Sequence, residues 1–122
     1  MEIRAARKTD VIALCGDTYR NSMRAITVEH EGHAVAIAGV MYSQPAQCFS
    51  VMTDVVRSSP KTIIKVSRAL TEILNQSRVP VYAMANKDEP TAERFLSHIG
   101  FTHLTTTFQG EVYLWPIQSQ QG

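Results

Sequence analysis

The clearest helix in the chain sets the first constraint on its fold. Between Ser59 and Gln76 the chain carries a long amphipathic helix, and a short apolar strand follows from Val81 to Ala85. Ile63, Val66, Leu70 and Ile73 recur at spacings of three and four, and Ile64, Ala69 and Leu74 widen the stripe. Lys61, Lys65, Arg68 and Glu72 fall on the other side, where they read as a solvated face. Ser59 can serve as N-cap, and Pro60 suits the first helical position because its missing N–H would be unbonded there anyway. Ahead of the helix, Gln47 to Val56 reads as another strand. The unit is therefore strand–helix–strand. It requires two parallel strands joined by a right-handed crossover.

The rest of the chain supplies shorter elements around this unit. Glu2 to Ala6 alternates as a first strand, and Thr9 or Asp10 can cap a helix whose inward side is Val11, Leu14, Cys15 and Thr18. Arg24 to His30 is a strand, Glu31-Gly32 a turn, and His33 to Tyr42 a nearly continuous apolar strand that belongs in the middle of its sheet. Pro45 breaks it. Asp88 can cap a helix with Pro90 in its first turn and Ala92, Phe95, Leu96 and Ile99 on one face. Gly100 supplies a left-handed stop, and Phe101 can fold back onto Phe95 or Leu96. Phe101 to Phe108 and Glu111 to Ile117 then form a hairpin around Gln109-Gly110. The order β-α-β-β-β-α-β-α-β-β implies an α/β (α+β) domain, a mixed sheet with helices on both faces. At 122 residues this is one domain, 1–117, with a polar and flexible tail at 118–122.

Charge and composition exclude several classes of function. The net charge is +1, so bulk electrostatics favour neither nucleic acid nor membrane, and the basic helix stripe lacks interleaved aromatic residues for base stacking. No apolar run approaches the roughly 20 residues a membrane span needs. The N-terminus Met1-Glu2-Ile3-Arg4 lacks a signal-peptide core, which leads to the expectation of an intracellular, cytoplasmic protein. Cys15 and Cys48 sit in apolar runs as free thiols, and no cysteine or histidine spacing marks a metal site. His30 and His33 bracket a turn without a third ligand.

The stretch Asn86 to Phe101, N-K-D-E-P-T-A-E-R-F-L-S-H-I-G-F, with a strand before and after it, resembles the C-terminal half of the GNAT N-acetyltransferase family. The order of elements resembles that family from end to end, although residues 8–23 leave room for one helix and a loop where two helices are usual. The resemblance implies that the fourth and fifth strands, Gln47 to Val56 and Val81 to Ala85, splay apart and take acetyl-CoA in the gap. The cofactor-binding positions it implies are Val55, Arg57, Ser58, Ser59, Lys61, Thr62, Asn86 and Phe95. In the family's phosphate loop, "Q/R-x-x-G-x-G/A", Arg57 matches. Pro60 and Thr62 stand where small residues are usual, so one backbone donor is lost. The family's thiolate-protonating Tyr is replaced by Leu96, leaving Tyr82, Tyr42 or Tyr113 as substitutes. Its strand glutamate is absent, and Asp54 is the carboxylate of that strand. Asp54 and Tyr82 are thus the catalytic candidates.

A narrower resemblance carries a second functional expectation. Ala36-Ile37-Ala38-Gly39, Cys48 to Asp54 and Arg94 to Gly100 are similar to pieces of a small group of bacteriophage-encoded GNAT-like proteins linked to virion components or assembly. Two functions follow from the resemblances. One is an acyl-CoA-dependent N-acetyltransferase acting on a small-molecule or protein amine. The other is a catalytically inactive binding or assembly protein of a phage, located in host cytoplasm or virion. A homodimer formed through the final strand is compatible with both.

Overall fold

The structure, a computed structural model, describes residues 1–16, 22–86 and 90–115, with backbone alone at 86, 90 and 91. The elements run β1 (Glu2–Ala5), α1 (Lys8–Cys15), β2 (Met23–His30), β3 (His33–Met41), β4 (Ala46–Met52), α2 (Asp54–Arg57), α3 (Pro60–Gln76), β5 (Val81–Asn86), α4 (Pro90–Ile99), β6 (Thr102–Thr107) and β7 (Gly110–Trp115). Seven strands form one sheet in the order β1-β2-β3-β4-β5-β7-β6. Every neighbouring pair is antiparallel except β4 and β5, which run parallel as the crossover through α3 requires.

Helices cover both faces. The stripe of α3 puts Leu70, Ile73 and Leu74 into a core with Val40, Val81, Ala83 and Ala85, and α4 adds Leu96 to the same cluster. Val56 and Val66 continue that layer over Val28, Ala36 and Ala38. The opposite face, where Thr27 pairs with Ile37, carries α1 packed against β3, with Val11 and Ile37 both fully buried. Burial of this kind supplies the favourable free energy that offsets the entropy of ordering the chain. No helix among the described residues is long and apolar enough to cross a membrane.

Strand bounds shift by a residue in several places, and the local departures from the sequence reading include the following. Helix α1 is capped by Arg7 rather than by Thr9 or Asp10. Asp10 closes the helix start from inside the first turn, accepting the Arg7 N–H at 2.7 Å, because Arg4 and Thr27 hold its carboxylate there. Strand β4 ends at Met52, not Val56. Thr53 bonds twice to Val35 O, through its N–H at 3.1 Å and its hydroxyl at 2.7 Å. Its own carbonyl then accepts the N–H groups of Val56 and Arg57. Asp54 and Val55 therefore sit on a helical turn that points the apolar Val56 inward. Strand β7 begins at Gly110, one residue earlier than expected.

The end of α4 follows the sequence closely. The Gly100 N–H bonds to Ser97 O at 3.2 Å and the Phe101 N–H to Leu96 O at 3.0 Å, the paired bonds of a Schellman stop, with Gly100 at φ 116. Phe101 then packs edge-on to Trp115 with ring centroids 5.4 Å apart, in the cluster that holds Leu96. The expectations for Thr18, Asp88 and 116–122 lie outside the described residues.

Candidate functional site

Strands β4 and β5 are neighbours at two positions, Ala46 beside Val81 and Gln47 beside Tyr82. Past that point each strand stays with its other partner. Cys48 to Met52 remain paired with β3, and Ala83 to Asn86 with β7. The two parallel strands therefore diverge, and the gap opens into a cleft of about 1580 Å³. Helices α3 and α4 flank it on one side of the sheet through Ile63, Ser67, Phe95 and Ile99. Phe49, Val51, Tyr82, Met84 and Val112 line it on the other. The cleft thus passes through the plane of the sheet.

Its electrostatics are one-sided. The charged or titratable cationic side chains in its wall are Arg57, Arg68, Arg94 and His98, and no Asp or Glu joins them among the described residues. All four come from α2, α3 and α4, on the face that α3 and α4 cover. Cys48 also lines the wall. It packs against the main core, and burial pushes its thiol up to about 12.

The positions singled out from sequence divide into two groups. Arg57, Tyr82 and Phe95 are in the cleft wall. Asp54 and Val55 are exposed on α2 and do not line it, and the Asp54 carboxylate lies 3.6 Å from the Arg57 guanidinium. Ser58, Ser59, Lys61 and Thr62 are likewise outside the wall. Lys61 is exposed, while the hydroxyls of Ser58, Ser59 and Thr62 bond within the segment that joins α2 to α3. The Ser58 hydroxyl donates to Asp54 O at 2.7 Å, and the Ser59 and Thr62 hydroxyls share a hydrogen at 2.8 Å. The N–H groups of Thr62 and Ile63 both turn back onto Ser59 O. Thr62 is buried. Asn86 ends β5 opposite Gly110, and its side chain lies outside the described residues. Of the other tyrosines considered, Tyr42 shares a hydrogen bond with Ser77 at 3.1 Å and Tyr113 is buried beneath His103. Leu96 is buried in the core while touching the cleft. No group of three or more His, Cys, Asp or Glu with metal-site geometry occurs among the described residues.

Arg68, Arg94 and His98 also line the cleft, and no sequence signal marks them out. Arg68 reads as part of a solvated basic stripe, yet with Ile64 and Thr71, four residues before and three after, it forms a second edge of α3 that borders the gap. Nothing in the sequence alone distinguishes that edge from solvent.

Among solved structures, this one is similar to the ribosomal-protein-S18-alanine N-acetyltransferase from Escherichia coli. The TM-score is 0.69 at 13% identity, over 98% of this chain and 96% of that one. An N-acetyltransferase from Staphylococcus aureus Mu50 gives a TM-score of 0.69 at 12% identity, covering 96% and 98%. This chain has the GNAT fold. The spermidine/spermine N-acetyltransferase SpeG from Vibrio cholerae shares that fold more loosely, with a TM-score of 0.60 at 14% identity over 93% and 89%. No protein-family model and no curated protein sequence matches the chain. What is common to these GNAT folds is the backbone arrangement, and side-chain chemistry must be argued from this chain's own cleft.

Proposed function

We propose that this chain is an acyl-CoA-dependent N-acyltransferase that takes acetyl-CoA into the cleft between β4 and β5. The observation that carries the reading is the divergence of the strands after Gln47 and Tyr82 into a through-cleft whose charged wall groups are cationic. Alternate backbone N–H and C=O groups of each diverging strand face a gap where no strand partner meets them. They suit the amide-bearing arm of coenzyme A, and an N–H among them can polarise a thioester carbonyl.

The phosphates fit the side covered by α3 and α4. The start of α3 has few amides to give, since Pro60 has no N–H and those of Thr62 and Ile63 are turned inward. Arg68 and Arg94, with Arg57 in the same wall, supply the positive charge instead, as guanidinium groups matched to phosphate oxygens. In the reaction the acceptor nitrogen attacks the thioester carbonyl, a C–N bond forms, the C–S bond breaks, and the thiolate leaves with the bonding pair. The Tyr82 hydroxyl, in the cleft wall, is the candidate proton donor to that thiolate. The amine's own proton goes to water. No carboxylate among the described wall residues takes that proton, so rate enhancement rests chiefly on positioning.

Calorimetric titration with acetyl-CoA tests the proposal. Binding is expected, and an absence of both heat and thermal stabilisation at millimolar acetyl-CoA would refute it. A second reading, a GNAT-shaped binding or assembly module of a phage without chemistry, is favoured by Leu96 packed into the core and by the inward-turned start of α3. Acetyl-CoA binding without acetylation of any amine would select that reading.

A further inference from the structure

The cleft has two unlike ends, and the second end bears on the acceptor. Strand register puts Phe49 and Val51 of β4 on one face of the sheet, together with Tyr82 and Met84 of β5 and Val112 of β7. All five line the cleft, and Met84 is 52% exposed. Helix α1 covers this same face farther along, over Ile37 of β3. The arginines and His98 belong to helices on the opposite face. The acyl donor's phosphates and this apolar end are therefore separated by the thickness of the sheet.

We infer that the acceptor is a small primary amine carrying an apolar or aromatic group, entering from the face of Phe49, Tyr82 and Met84. The inference rests on the transferase reading. Three arguments carry it. With the charge of the donor held on the helix side, the thioester reaches through the gap and meets the acceptor at the other mouth. That mouth offers apolar and aromatic surface, with the Gln47 amide and the Tyr82 hydroxyl as its polar groups. A polyamine would leave its second and third ammonium groups against this wall without a carboxylate among the described residues, a cost that an apolar substituent does not incur. Finally, desolvation lowers the pKa of an amine. An apolar mouth therefore raises the fraction of neutral, nucleophilic amine in a site whose described wall contains no carboxylate base.

The test is calorimetry on the full chain with two probes, phenethylamine and spermidine, each titrated with and without saturating coenzyme A. Phenethylamine is expected to bind at least about tenfold more tightly than spermidine. Met84→Glu is expected to weaken phenethylamine and strengthen spermidine, and circular dichroism with thermal unfolding reports whether the variant is folded. Equal or tighter binding of spermidine, or no phenethylamine binding at tens of millimolar, overturns the inference whatever coenzyme A does. If M84E does not fold, the wild-type preference alone decides. If coenzyme A fails to bind while phenethylamine keeps its preference, the transferase reading falls and the apolar amine site stands.

Discussion

Gln47 and Tyr82 are the last residues of β4 and β5 to lie side by side, and the cleft begins where their register ends. A bulky residue placed just past this point fills the gap without touching the core. Ser50, three residues along β4, is exposed and lines the cleft. Ser50→Trp is expected to weaken acetyl-CoA by at least about tenfold, or 1.4 kcal/mol. Its thermal midpoint should stay near that of the parent, since exposed positions usually shift stability by only about 0.5 kcal/mol. Unchanged affinity would place the donor elsewhere.

The arginine pair gives a salt-dependent prediction. Arg68 and Arg94 reach the cleft from α3 and α4 and are exposed, so each contact with a phosphate is worth about 1 kcal/mol after screening. The double variant Arg68→Ala/Arg94→Ala is expected to lose roughly 30-fold in acetyl-CoA affinity at low ionic strength. In 1 M salt, where the Debye length falls to about 3 Å, the difference should shrink to a few-fold. Lys61→Ala is expected to change affinity by less than about twofold, because Lys61 does not line the cleft. A larger loss from Lys61 than from the arginines would return phosphate binding to the start of α3.

The contrast between Lys61 and Arg68 shows what the sequence could and could not disclose. The fold was legible because its signals are local. The stripe Ile63-Val66-Leu70-Ile73 defines a helix, and Gly100 before Phe101 stops one through bonds to Ser97 and Leu96. A parallel pair follows from the strand–helix–strand order. The site was less legible because it depends on which edge of a helix faces the gap. Arg68 and Lys61 are the same to a periodicity count, yet Arg68 borders the cleft and Lys61 does not. Asp54 lies outside the cleft wall for a related reason. It belongs to a run that reads as strand, and the two hydrogen bonds that the Thr53 N–H and hydroxyl donate to Val35 O, a contact distant in sequence, end the strand early.

Asp10 ties the first strand and helix to the sheet and should set the acid limit of stability. Its buried carboxylate accepts from Arg4 at 2.7 and 3.0 Å, from the Arg7 N–H at 2.7 Å and from the Thr27 hydroxyl at 3.0 Å. The Arg4 guanidinium, opposed by burial and aided by the other two donors, holds this carboxyl well below the usual carboxylate range. The folded state therefore binds the proton less readily than the unfolded chain. The resulting stability is full above a pH of about 4 and is lost as pH falls further toward the folded value. Asp10→Asn is expected to cost about 3 kcal/mol at neutral pH, since it leaves the half-buried Arg4 without its main partner. The acid limb of the stability curve should flatten in the variant. Urea titrations between pH 2 and 7 check both effects. An equal acid limb in the two proteins would assign it to other carboxylates.

Gly100 links the stop of α4 to the seating of that helix beside the cleft. Its φ of 116 is a conformation that residues with a Cβ rarely adopt. A Cβ there would also come within 3.0 Å of Trp115 Cζ3 and 3.3 Å of Cη2, displacing the indole from its edge contact with Phe101. Strain and contact act together, and Gly100→Ala is expected to cost about 2 kcal/mol by urea unfolding. The cleft should feel the change as well. Helix α4 carries Arg94 and Phe95 in the wall, and the Phe101–Trp115 contact joins the residue after its stop to β7, in the cluster that also holds Leu96. Acetyl-CoA affinity in the folded variant is therefore expected to fall by several-fold. A variant that loses less than about 0.5 kcal/mol of stability would mean that the turn relaxes without moving Trp115. In that event the affinity should also be unchanged, so the two measurements together test whether the helix stop and the cleft wall are mechanically one unit.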